Sequence, residues 1–315
     1  GGRATGVLIS MRLMLPVGMV KRRREIPAAA RKRIDRAIEY VDRRLSSDEE
    51  TAAVVEELLT DLFGDRRARA SDTEGSPPAV ARLASYDPRA ALTESEHWAE
   101  QDPETVAESK PLLYLWRCFD RSPLAANLAF ALPFRQTLAT HLFAEAGDDL
   151  HLYSGIKIQC GHNVRMGDTV VVHNDVLLDD RGELVIGDRV SLADTSHLHT
   201  HSHDLVDQGD VTNYRTEIAD DARVGYGAMV NAGARVGENA VVGANAMVRG
   251  DVPAHHVAVG TPARSVKVKP GWESVAAEPD DLQNRAGERA LDSTVPDDAE
   301  TYDEFGRSLV PPGES

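Results

Sequence analysis

Cysteine is nearly absent. The 315 residues hold two cysteines, Cys118 and Cys160, which excludes a disulfide framework and a cysteine-built zinc cluster. A cytoplasmic location is the expectation that follows. Lysine is scarce as well, 6 of the 35 basic residues, and 51 acidic residues leave a net charge of −16. Such a chain has no general phosphate-binding surface, so no nucleic acid is expected as a partner. No apolar stretch reaches the roughly 18 residues a bilayer-spanning helix requires, and no membrane insertion is expected. The best N-terminal candidate, Leu8 to Val20, is broken by Arg12 and Pro16. Its basic cluster, Lys21 to Arg24, follows the apolar part, the reverse of a secretory signal. Residues 1–25 are set aside as a leader with no assigned role.

From Ile26 the pattern turns helical, and residues 26–150 form an expected α-helical region. Ile34, Ile38, Val41 and Leu45 share one face. Ser47 with Glu50 reads as a capping box ahead of Val54, Val55, Leu58, Leu59, Leu62 and Phe63. Ser71 to Pro78 reads as a linker. Thr93 with Glu96 predicts another helix start, and Pro123 and Pro133 divide Leu112 to Ala146 into several short helices. No catalytic signature falls here; a helical cap or an oligomerisation region is the expected role.

After Ile158 the period changes. Read with a step of six, aliphatic or sulfur-bearing residues recur at Cys160, Met166, Val172 and Leu178, then Ile186, Leu192 and Leu198, then Ile218, Val224, Val230, Val236, Val242 and Val248. A second register carries Ala222, Ala228, Ala234, Ala240 and Ala246. Period six fits neither a helix of 3.6 residues per turn nor strand alternation. It predicts a prism whose coils each hold three hexads and bury an aliphatic ladder, a little over four coils for these 13 hexads. Gly225, Gly237 and Gly243 are expected to relax its bends. Two breaks interrupt the step. Leu178 to Ile186 places a small bulge at Asp180, Arg181 and Gly182, and Leu198 to Ile218 ejects a loop near 199–217. That loop opens on the densest histidine cluster in the chain, His197, His199, His201 and His203.

Three motifs in order then resemble a known family. Ile186-Gly187-Asp188-Arg189-Val190, Thr200-His201-Ser202-His203-Asp204, and the run from Gly250-Asp251-Val252-Pro253 to Gly260-Thr261-Pro262-Ala263-Arg264 are similar to signatures of the hexapeptide-repeat acyltransferases, in the branch of galactoside, maltose and polysaccharide O-acetyltransferases. The resemblance covers about residues 145–270. It implies a mainly β fold, a single-stranded left-handed parallel β-helix over residues 151–271 preceded by the α-helical region. It implies a homotrimer with sites between chains, acetyl-CoA as co-substrate, a sugar or glycan acceptor, and no metal. His203 falls on the family's catalytic histidine, a general base that takes the acceptor's proton during direct transfer. Gly225, Ala244, Arg264 and Lys267 fall on cofactor-binding positions, the two basic residues toward the nucleotide phosphates. Asp180 and Asn174 stand nearest to the acceptor-binding positions.

Two other readings remain. Zinc-dependent carbonic anhydrases of the γ type use this solenoid, and the alternating histidines raise a metalloenzyme, although the ligand spacing of that family is not reproduced. A catalytically inactive trimeric scaffold is the other. Residues 272–315 form an acidic tail, with 12 acidic and 3 basic residues from position 273 onward, expected to be solvated and disordered apart from a short helix near Leu282 to Leu291.

Overall fold

The structure is a computed structural model that describes residues 25–66, 76–205, 210–276 and 285–292. The leader, residues 71–75 of the expected linker and most of the acidic tail lie outside the described residues.

Among the described residues five α-helices precede the strands: α1 Ala28–Leu45, α2 Thr51–Phe63, α3 Pro77–Ala84, α4 Pro103–Phe119 and α5 Leu128–Leu142. The apolar faces read from the sequence meet in one core. Val55 and Leu59 of α2, Leu113 and Phe119 of α4, and Phe134 and Leu138 of α5 are fully buried. Phe119 stacks on Phe134 at 4.2 Å. Several local expectations are corrected. Ser47 donates to the Arg44 carbonyl at 2.7 Å and so closes α1, while α2 starts after Glu50 with no side-chain cap. Thr93 and Glu96 do form a capping box, but on the short 3-10 helix Glu94–His97; the long α4 is capped by Asp102. Pro133 lies inside α5 without ending it, because packing outweighs one missing backbone donor. The last residues of the expected linker start α3, with Pro at its first turn.

The second layer is a solenoid with three faces. Its first face stacks Glu145–Ala146, Val164–Met166, Leu184–Ile186, Thr216–Ile218 and Arg235–Val236 as parallel strands. The second runs from His151–Leu152 to His256–Val259 and ends on an antiparallel return strand, Arg264–Val268. The third stacks Lys157–Ile158, Leu177–Leu178, His197–Leu198, Met229–Val230 and Met247–Val248. This is the expected left-handed β-helix, with five complete coils and a sixth begun where Val252 bridges Val236. The sequence reading fell short by more than a coil because it began after the first one. Leu152 and Ile158 already belong to the buried ladder.

Register explains the breaks in the step. Ala146 pairs with Met166 and Met166 with Ile186, coils of 20 residues, whereas Ile218 pairs with Val236, a coil of 18. Each early coil carries two extra residues at the corner between the third and first faces. Cys160 is therefore a buried corner residue and not a rung of the ladder. Gly225, Gly237 and Gly243 are not at positive φ; the bends fall to residues such as Asp149, Thr169, Arg189, Asp221 and Asn239, with φ between 55° and 60°. What Gly225 supplies is close stacking, since a Cβ there would lie 2.7 Å from the Ala244 nitrogen of the next coil. The aspartates of the repeat form a ladder: Asp168, Asp188 and Asp220 accept from the backbone N–H of Asp148, Asp168 and Asp188 at 2.8, 2.9 and 3.0 Å.

A solenoid end needs a cover, and the helices supply it. The nearly inaccessible Arg135 donates to the Leu152 carbonyl at 3.2 Å and pairs with Asp120, whose second oxygen accepts from Gly155 N–H at 2.7 Å. Trp116 donates to the Ile156 carbonyl at 2.9 Å.

Candidate active site

One corner carries the extra residues of the first three coils. The first coil bulges there at Cys160-Gly161, the second at Asp180-Arg181, and the third ejects a hairpin of His201–His203 antiparallel to Val211–Asn213. Thr200 locks the hairpin base: its hydroxyl donates to the Asp179 carbonyl at 2.7 Å and accepts from Gly182 N–H at 2.8 Å. Thr216 donates to the His199 carbonyl at 2.7 Å. The histidine segment thus leaves a rigid corner instead of a free loop.

Asp179 lies beneath it, 2 % exposed. One of its oxygens accepts from His199 Nδ1 at 3.2 Å and lies 2.7 Å from His201 Nδ1, the latter an ion-pair contact off the hydrogen-bonding direction. Burial alone would raise the pKa of this carboxyl, but the two imidazoles outweigh it and bring the pKa down to about 2. An ionised acceptor at His199 Nδ1 requires the hydrogen on that nitrogen, which leaves the Nε2 lone pair as the basic position. Nε2 of His199 is buried and has no protein partner. His203 stands exposed on the hairpin strand, its ring edge-on to that of His201 with centroids 5.3 Å apart. A cavity of about 470 Å³ opens beside His199 and His201, which line it with Tyr214, Asn231, Arg249 and Ala286 among others, and His203 stands outside that lining.

Comparisons with known proteins give this corner a context. No family model matches the chain. It is 26% identical over 137 residues to a galactoside O-acetyltransferase of Escherichia coli K12, spanning 42% of this chain and 68% of that protein. That relative acetylates galactosides by its name, and the match marks what this chain is similar to. It is also 32% identical over 124 residues to a probable acetyltransferase of Mycobacterium tuberculosis, spanning 37% of this chain and 41% of that protein. Among solved structures it is similar to a maltose O-acetyltransferase from Clostridium difficile 630, with 26% identity, coverage of 57% of this chain and 98% of that one, and a TM-score of 0.48.

In this chain the expected site residues divide into groups. Asp180 is corrected. It is fully buried and accepts from the backbone N–H of Gln159, Cys160 and Gly161 at 3.0, 2.9 and 2.6 Å. Burial pushes its pKa up to about 6 against those donors. Its carboxylate shapes the bulge of the preceding coil and presents nothing to an acceptor. Asn174 lies one corner away from the histidines, where it accepts from the Ser154 hydroxyl at 2.9 Å and donates to Asp194 at 2.9 Å. It is a rung in a corner ladder and is not brought together with His203. Gly225 and Ala244 do meet, on adjacent coils. Arg264 and Lys267 are exposed on the return strand, opposite Val259 and Val257.

The residue that sequence reasoning missed is Asp179. A coil period of 20 would have found it, since it sets position 179 directly under position 199. The connection between the 3-10 helix Glu94–His97 and α4 reaches the same corner: Arg181 pairs with Glu100, whose side chain is 4 % exposed, lies 4.5 Å over the Trp98 ring, and its carbonyl accepts from Gln101 at 3.0 Å. Among the described residues no group of three or more His, Cys, Asp or Glu side chains is arranged to hold a metal ion. No helix among them is long and apolar enough to cross a membrane.

Proposed function

We propose that this protein moves an acetyl group from acetyl-CoA to a hydroxyl of a sugar or sugar-containing polymer, with His203 as general base. The observation that carries the reading is the histidine segment itself, held by Thr200 over the ionised Asp179 on a hairpin ejected from a rigid corner. Relatives named for galactoside and maltose O-acetylation support the acceptor class.

A sugar hydroxyl is a weak nucleophile until its proton is taken. The His203 imidazole removes that proton as the oxygen attacks the thioester carbonyl. The C–S bond then breaks, and the imidazolium returns the proton to the departing thiolate, so coenzyme A leaves as the thiol. No acyl-enzyme forms. General base catalysis of this kind is worth about 10²–10⁴-fold in rate, or roughly 3–5 kcal/mol of barrier. Arg264 and Lys267, exposed on the last strand, are the groups for the nucleotide phosphates. The backbone around Gly225 and Ala244 accommodates the pantetheine arm, and a homotrimer supplies the facing wall from a neighbouring chain.

The test is thiol release from acetyl-CoA with galactosides, maltose and small alcohols as acceptors, alongside His203→Ala. Acceptor-dependent release that drops at least about 10²-fold in the variant is the expected result. No acceptor-dependent release from the native protein overturns the reading.

A further inference from the structure

The acidic tail is not wholly detached from the fold. Residues 285–292 lie along the hairpin, with Ala290 bridging Tyr214 in antiparallel fashion, Leu291 N–H donating to the Asn213 carbonyl at 2.8 Å, and Arg215 N–H donating to the Arg289 carbonyl at 2.9 Å. Arg289 is the anchor. Its guanidinium takes both carboxylate oxygens of Asp251 at 3.0 and 2.6 Å and also donates to the Gly233 carbonyl at 2.5 Å. The single 3-10 turn Ala286–Arg289 brings Ala286 against Gly233, where a Cβ would lie 2.7 Å from the Ala286 Cβ. Ala286 thereby becomes one wall of the cavity that His199 and His201 also line.

The interior of that cavity is short of partners. Asn231 Oδ1 and His199 Nε2 are buried and make no hydrogen bond to protein, and Tyr214 and Ser202 add two hydroxyls. Leaving such groups unsatisfied is costly, so the cavity is suited to a ligand rich in hydroxyl groups. Its volume of about 470 Å³ accommodates one or two sugar rings and falls short of a whole coenzyme A.

We propose that this cavity is the acceptor subsite for a polyhydroxylated ring, and that the strap of residues 285–292 is its outer wall, with Ala286 setting how long an acceptor can enter. The proposal rests on the acetyl-transfer reading above and names where that reaction takes its acceptor. Ala286 and Arg289 are positioning residues: neither touches the reacting atoms.

The experiment measures the KM for maltose and for acetyl-CoA separately in the full chain, in Ala286→Trp and in Arg289→Ala. Ala286→Trp should raise the maltose KM by at least about tenfold, with the acetyl-CoA KM within about twofold of native. Arg289→Ala should raise the maltose KM several-fold, and diethyl pyrocarbonate should modify His199 and His201 several times faster once the strap is released. A maltose KM unchanged in a folded Ala286→Trp protein overturns the proposal. So does an acetyl-CoA KM that rises in step with that for maltose. A native protein that transfers acetyl to no sugar at all is instead the failure of the acetyl-transfer reading, and with maltose kinetics gone, unchanged histidine modification in Arg289→Ala overturns the strap as a wall.

Discussion

Replacing Asp179 by Asn removes a buried charge while keeping shape and one acceptor oxygen. The native carboxyl has its pKa lowered from 3.8 to about 2. At about 1.36 kcal/mol per unit, that difference stabilises the folded state by about 2 kcal/mol at neutral pH. The sign follows from the direction of the shift. A carboxyl depressed in the folded state contributes its full stabilisation above the unfolded value near 4, and loses it as pH falls through the folded value of about 2. At pH 3 roughly half should remain, about 1 kcal/mol. The assay is urea denaturation of native protein and Asp179→Asn at pH 7, 5, 4 and 3, followed by far-UV circular dichroism. The stability gap should be near its maximum at pH 7 and 5 and about halved by pH 3. A gap that stays constant over that range refutes the argument that Asp179 is held ionised by His199 and His201.

Three further outcomes follow from the geometry. Gly225→Ala places a Cβ 2.7 Å from the Ala244 nitrogen and should lower unfolding free energy by about 1–3 kcal/mol in chemical denaturation; an unchanged midpoint means the coils separate more easily than their hydrogen bonds imply. Glu100→Gln leaves Arg181, 9 % exposed, without its charge partner, and should cost about 3 kcal/mol in the same assay; a loss below about 0.5 kcal/mol shows that the helices do not brace the corner. Arg264→Ala should raise the acetyl-CoA KM about tenfold or more with little change in kcat, read by thiol release, because a phosphate loses a bidentate donor; an unchanged KM removes Arg264 from the cofactor site.

The step of six was legible because nearly every aliphatic in it is buried in a single narrow bore, so no alternative packing competes with the pattern. The first coil was not, since its rung on the first face is Ala146, and the helix-to-strand boundary supplies no aliphatic to start the count. Cys160 was misplaced because a corner insertion of two residues imitates the start of a hexad. The adjacent aspartates show the limit of motif spacing: Asp179 and Asp180 carry the same chemistry, and only the direction of the chain at the bulge turns one toward the imidazoles and the other into backbone N–H groups. The docked strap had no periodic signal at all. It depends on Arg289 meeting Asp251, two residues 38 positions apart, within a segment whose composition alone predicts solvation.

The central claim is that an imidazole on the ejected hairpin activates a hydroxyl toward acetyl-CoA. Pre-steady-state acetyl transfer to maltose, measured side by side for the native protein and for His203→Ala, tests it most directly. The account predicts rapid acceptor-dependent coenzyme A release in the native protein and a rate lower by at least about 10²-fold in the variant, at unchanged thermal stability. A variant that retains most of the native rate contradicts it.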